Sequence, residues 1–161
     1  MSGYLYVLWH PTFKMYGDNV YKLGMTINPD QRLQSYSPGF LDSVQYLYLS
    51  SEFKSCHEAE KVLFYVLRKE RLKKQREFFK VDLEVAKRII KNLESLTADE
   101  VHSLYQRSRS GLLSQATLLR LRADPEEVAA FNQQWTTKYT KGENAHDFLD
   151  KFKYSPPTKM T

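Results

Sequence analysis

The chain has 161 residues, a net charge of +5, 42% apolar and 27% charged residues, and one cysteine, Cys56. That length holds one domain with an extension or two very small ones, and the apolar share excludes a wholly disordered chain. The lone cysteine excludes an intrachain disulfide and leaves a structural zinc site without its usual thiolates, and no apolar run reaches the roughly 20 residues of a bilayer span.

Gly3–Trp9 is rich in Tyr, Leu and Val and predicts a strand covered on both faces, with Tyr4 and Tyr6 on one side and Leu5, Val7 and Trp9 on the other. His10-Pro11 ends it. After the Gly17-Asp18-Asn19 turn, Val20–Gly24 is a second strand with Tyr21 and Leu23 on a common face. Asn28 caps and Pro29 begins a first helix carrying Arg32, Leu33 and Tyr36, which Ser37-Pro38-Gly39 stops. Val44–Leu49 is a third strand.

Ser55-Cys56-His57-Glu58 has the spacing of a capping box, and Ala59, Val62, Leu63, Val66 and Leu67 continue it as an amphipathic helix with Glu60 at the border of its apolar stripe. Glu77–Val81 reads as a short strand or docked turn, and Asp82 caps a third helix with Leu83, Ala86, Ile90 and Leu93 inward. Beyond residue 95, capping signals at Thr97 and Asp124 predict three or four short helices and a disordered tail at 155–161. The N-terminus lacks the pattern of a signal peptide, so a soluble protein in a reducing, intracellular setting is expected.

Charge is uneven along the chain. Residues 1–60 carry a net −2 and residues 93–161 a net 0, while residues 61–92 hold 11 Lys and Arg against 4 Asp and Glu, a net +7. The block centred on Arg68–Arg76 reads as a polyanion-attracting surface or, equally, as a solvated helix end.

If the helices pack on one face of the sheet, Tyr6, Tyr21, Arg32, Tyr36 and Glu60 converge. Phosphodiester hydrolysis by water needs a proton acceptor, positive charge for the pentavalent phosphate and a metal for the leaving oxygen. Glu60 suits one Mg²⁺ completed by water, Arg32 suits the scissile phosphate, and a phenol beside them would have its pKa pulled down, fitting Tyr6 as base. Taken singly, each residue reads more simply as a strand aromatic, a surface arginine or a salt-bridged carboxylate.

The ordered set "LYVL" (Leu5–Leu8), "YKLG" (Tyr21–Gly24), Arg32 eleven residues after Tyr21, then Glu60, resembles the GIY-YIG endonuclease superfamily over residues 3–94. "GMT" and "EFFKV" are most similar to its branch in phages and large DNA viruses. The resemblance implies an α/β (α+β) fold, a small three-stranded antiparallel sheet flanked by helices. The 3–94 domain would carry Mg²⁺-dependent DNA cleavage, with Mn²⁺ as a substitute. Residue by residue it implies Tyr6 as general base, Tyr21 contacting phosphate or water, Arg32 binding phosphate, Tyr36 assisting proton transfer and Glu60 as metal ligand, with Gly24 for a tight turn. Lys22, Arg68, Lys69, Lys73, Lys74 and Arg76 would contact the DNA backbone. The chain departs from the pattern at Phe64, where relatives in this branch often carry histidine. The alternative is therefore an inactive nucleic-acid-binding or virion-associated module. The expected location is cytoplasm, nucleus or virion, with no membrane. The helices of residues 95–154 would serve a homo-oligomer or protein partner; a structural interaction protein built around this tail is the third reading.

Overall fold

The computed structural model describes residues 1–36, 44–73, 76–127 and 129–130. Four antiparallel strands, β1 (Tyr4–Trp9), β2 (Val20–Thr26), β3 (Gln45–Leu49) and β4 (Phe78–Lys80), form one sheet in the order β3-β1-β2-β4. The three-stranded expectation is corrected by β4: Phe79 pairs with Tyr21, and the fully buried ring makes this segment a strand rather than a docked turn.

Register decides which side chains share a face. Tyr6 pairs with Gly24 and Leu8 with Lys22, whereas Val7 pairs with Leu23 and Leu5 with Met25. Leu5, Val7, Tyr21 and Leu23 point into the main core against α2 (Cys56–Val66) and α3 (Leu83–Glu94). The opposite face carries Tyr6 and Leu8 and is covered by a 3-10 helix (Pro11–Tyr16) and α1 (Pro29–Tyr36) in a smaller cluster with Phe13 and Val44.

A break in the β1–β3 ladder separates two tyrosines of β3. Val7 pairs with Tyr48 but Leu8 pairs with Tyr46, so one extra residue is inserted. Simple alternation would place Tyr46 and Tyr48 on one face. Instead Tyr46 stands 5.5 Å from Tyr6, while the Tyr48 hydroxyl hydrogen-bonds Glu94 of α3.

Helix starts follow local chemistry in most places. Asn28 accepts from the Gln31 amide at 3.1 Å, and Asp82 from that of Glu84 at 2.8 Å. Thr97 and Glu100 complete a capping box at the head of α4 (Ala98–Arg109). The box expected at Ser55 does not form: the Ser55 side chain caps nothing, and Glu58 instead meets His102 of α4, 2.5 Å away. The tertiary partner won because α4 lies along α2.

The core does not stop at residue 94. Val101, Leu104, Leu113, Leu118 and Leu121, from α4, α5 (Gln115–Leu121) and their connection, join the cluster beneath the sheet. Burying each such aliphatic side chain is worth about 1.5–3 kcal/mol. Asn92 of α3 fastens the end of α5, donating to the carbonyls of Leu121 and Ala123 at 2.8 and 2.9 Å. The aromatics Phe131, Trp135, Phe148 and Phe152, the expected tail at 155–161 and Lys74 lie outside the described residues. Among the described residues, no helix is long and apolar enough to cross a membrane.

Candidate functional site

The face of β1 and β2 opposite the main core gathers a group of chemistry-bearing side chains. Tyr6 lies fully buried at its centre. Arg32, one turn into α1, points back at it, its Nη2 donating to the Tyr6 hydroxyl at 3.4 Å. Its guanidinium lies 5.5 Å from the ring of Tyr36. Lys22 of β2 reaches the same ring, with Nζ at 4.9 Å. Glu77, just before β4, approaches Lys22 Nζ to 4.0 Å. Tyr46 fixes α1 from below: its hydroxyl donates to the Pro29 carbonyl at 2.8 Å, setting where Arg32 starts from.

Three properties make this group more than packing. Arg32 Nε is buried with no hydrogen-bond partner, although a guanidinium binds through all its N–H groups. An unsatisfied buried donor of this kind costs about 1–3 kcal/mol unless a ligand takes it. Beside Arg32, a cleft of about 400 Å³ opens along Thr26, Asn28, Gln31 and Ser35. Finally, two cations, Lys22 and Arg32, gather over the one ring of Tyr36, with Glu77 near Lys22 as the single carboxylate named among them.

Titration behaviour differs from the expectation for Tyr6. Burial raises its phenol above the ordinary value, and the hydrogen bond from Arg32 only partly offsets that. Arg32 acts in the expected downward direction, but among the protein's own groups burial outweighs it and leaves the phenol a hydroxyl that can donate. The same hydrogen bond raises Arg32, which stays charged.

Tyr21 is the misplaced member of the expected set. It shares its face with Leu23 and points into the main core, its hydroxyl 3.4 Å from Asn19 Oδ1, away from Tyr6. Lys22, expected only as a backbone contact, occupies the place beside Tyr6. The sequence already held the signal: Tyr21 alternates with Leu23, so a core leucine takes the tyrosine with it. Replacing Tyr21 by phenylalanine is therefore expected to leave the Arg32 site unaltered and any cleavage rate within about twofold of wild type; a kinetic comparison checks it.

Gly24 is needed for a different reason than a turn. It sits within β2 opposite Tyr6, and a Cβ there would lie 2.6 Å from the Tyr6 hydroxyl. The glycine makes room for the phenol.

Glu60 belongs to α2, on the far side of the sheet, but is buried at the end of the β2–β4 pairing. Leu23 N donates to the Glu77 carbonyl at 3.0 Å; two residues on, the Met25 backbone lies close enough to the Glu60 carboxylate to favour its charged form. Burial, and then the nearby charge of Glu77, push the Glu60 carboxyl above its ordinary value. Among the described residues no hydrogen bond or ion pair joins Glu60 to Arg32 or Tyr6. Glu77 is the link, because its charge acts on Glu60, Tyr6 and Arg32 alike. Sequence reasoning missed Glu77 as a site residue; the signal was an acidic residue directly before the apolar pair Phe78-Phe79.

The basic block divides. Arg68 and Lys69 are exposed at the end of α2, with Arg68 4.4 Å over the Tyr65 ring. Arg71 lies 4.9 Å from the Phe64 ring, and Glu70 pairs with Arg122 at 2.6 Å. Lys73 and Arg76 stand exposed at the β4 edge, on the side of Lys22. Phe64 packs 5.1 Å from Phe79 in the main core, which explains an apolar residue at that position.

Among the described residues, no group of three or more His, Cys, Asp or Glu is placed to hold a metal ion. Mg²⁺ keeps several waters and takes one or two carboxylates; Glu60 and Glu77 are two carboxylates close enough for the charge of one to act on the other. No curated protein and no solved structure matches the chain. The T5orf172 domain model matches residues 3–94, the strands and helices that build the Tyr6–Arg32 face. The chain belongs to the T5orf172 domain family, a phage-associated domain with a nuclease-like fold.

Proposed function

We propose that this face is a GIY-YIG-type site that hydrolyses DNA phosphodiester bonds with Mg²⁺, Mn²⁺ serving as a substitute. The observation that carries the reading is Arg32: a charged guanidinium with a buried, unpartnered Nε, hydrogen-bonded to a neutral phenol and neighboured by Lys22. That is a hollow for a tetrahedral anion. Arg32 binds the phosphate oxygens, the buried Tyr6 hydroxyl accepts from its Nη2 and holds the guanidinium in place, and Lys22 adds charge where the pentavalent state develops it. The proton of the attacking water goes to a carboxylate, Glu77 Oε2, which lies on the Tyr6 side of Gly24. Glu60 would hold the metal, which would supply positive charge for the leaving oxygen. Tyr36 orients Arg32 and Lys22 by offering its ring to both.

Cleavage of supercoiled plasmid by the purified chain tests the proposal. Nicked or linear product is expected with Mg²⁺ or Mn²⁺ and none with EDTA. Glu60→Gln should lower the rate at least about a hundredfold while DNA affinity holds. The same variant is expected to be more stable than wild type in metal-free buffer. A carboxyl raised by burial favours folding below its ordinary range near 4.5, and that advantage is lost as pH rises through the folded value. The Tm gain of Glu60→Gln should therefore be larger at pH 7 than at pH 4; a gain independent of pH would show that Glu60 is not strained by burial.

A second reading has its own support. Lys22 stands where the expected second phenol would be, which favours binding over proton transfer. Tight, salt-sensitive DNA binding without cleavage in either metal would make this a binding module.

A further inference from the structure

We infer that the hollow between the 3-10 helix and β4 is a subsite for an unpaired DNA nucleotide, its base stacked on Tyr16 and its phosphate held by Lys73 and Arg76. It extends the proposed action on DNA and rests on it. The hollow measures about 360 Å³ and is lined by Tyr16, Leu72, Lys73, Arg76 and Phe78. Its floor is rigid: Phe78 lies edge-on to the buried Phe13 ring, 5.1 Å away at 88°. Its wall is Tyr16, 5.5 Å from Phe78 and held at the end of the 3-10 helix.

Two large apolar side chains here face water, Tyr16 at 52% and Leu72 at 41% exposure, while the rim carries Lys73 and Arg76 and, among the described residues, no carboxylate lines the hollow. An aromatic face with positive charge around it matches a nucleobase joined to phosphate better than an apolar molecule or an acidic peptide. Backbone pairing holds the described residues on either side of the hollow. Arg71 bridges Phe79, the Leu72 amide donates to the Phe78 carbonyl at 3.0 Å, and Arg71 Nε donates to the Arg76 carbonyl at 2.7 Å.

Lys22 stands between the hollow and the Arg32 site. Lys22 Nζ stands 6.0 Å from the Phe78 ring and 4.9 Å from Tyr36. A strand with its phosphate at Arg32 would pass Lys22 and reach Tyr16. A base within a duplex has both faces covered by its neighbours, so only an unpaired one can offer a face to Tyr16. The substrate class is therefore DNA with a single-stranded end, flap or gap.

The test uses the full chain and two duplexes, one blunt and one bearing a single-stranded overhang that contains 2-aminopurine. Binding is followed by fluorescence anisotropy and stacking by quenching of the 2-aminopurine emission. The overhang duplex is expected to bind about tenfold more tightly than the blunt one and to be quenched. Tyr16→Ala should lose both effects, Tyr16→Phe should keep both, and blunt-duplex affinity should be the same for all three proteins. Equal affinity for the two duplexes, or a preference and quenching that survive Tyr16→Ala, overturns the inference. The readout is separate from cleavage. A chain that cuts plasmid but shows no overhang preference loses the subsite alone, and one that does not cut yet shows the Tyr16-dependent preference retains it.

Discussion

Arg32→Lys is expected to reduce DNA cleavage by about 10²–10³-fold, close to the loss from Arg32→Ala, even though lysine keeps the charge. The reason is geometric. Arg32 reaches the hollow from α1 with Nη2 on Tyr6 and with Nε buried and unpartnered, so a bound phosphate meets a planar fork. Lysine offers one compact ammonium, which can pair with Tyr6 or with phosphate but has no second N–H in the same plane. Binding should suffer less than rate, because Lys22, Lys73 and Arg76 remain as phosphate contacts. For Arg32→Ala, the slope of log affinity against log salt should fall by about one unit, as for loss of a single phosphate contact. Cleavage time courses and anisotropy titrations over a salt series separate the two effects. A wild-type rate for Arg32→Lys would remove Arg32 from the chemistry.

Gly24→Ala is expected to damage both stability and activity through one added methyl group. Its Cβ would lie 2.6 Å from Tyr6 Oη, 2.9 Å from Cζ and 3.5 Å from Glu77 Oε2. Tyr6 cannot swing aside, because its ring is fully buried and packs with Leu8, Phe13 and Val44. Either the phenol is displaced from Arg32 or β1 and β2 part locally. Overpacking of this kind costs about 1–3 kcal/mol, and misplacing a reacting group by about 1 Å costs about a hundredfold in rate. Chemical denaturation and cleavage kinetics read the two losses. Adding Tyr6→Phe to Gly24→Ala should recover part of the stability, since it removes the nearest atom, but none of the activity. Additive stability costs in that double-mutant cycle would show that the two positions do not collide.

Much of the scaffold was legible because it rests on local chemistry. Asn28-Pro29 starts a helix since a side-chain oxygen caps free amides and proline needs no N–H there, and Asp82 and Thr97 follow the same logic. The alternation of β1 already placed Tyr6 opposite Leu5 and Val7. Ser55 shows where local reading fails: its capping partner Glu58 was drawn to His102, 44 residues further along the chain. No window around residue 55 contains that competition.

The candidate site divides along the same line. By itself the sequence determined that an arginine follows two tyrosine-bearing strands on a capped helix, that a carboxylate borders the next helix, and that positive charge collects in residues 61–92. Only the tertiary structure decided which groups meet. The β1–β2 register set Gly24 against Tyr6 and turned Tyr21 into the core, bringing Lys22 to the phenol instead. An inserted residue in β3 sent Tyr46 to support α1, and the unpaired end beyond β4 let Glu60 reach the Met25 backbone beside Glu77. Side-chain alternation is a property of each strand, so it can be read along the chain. Pairing register, burial and the pKa of a phenol depend on residues brought together from across the fold, and those only packing can supply.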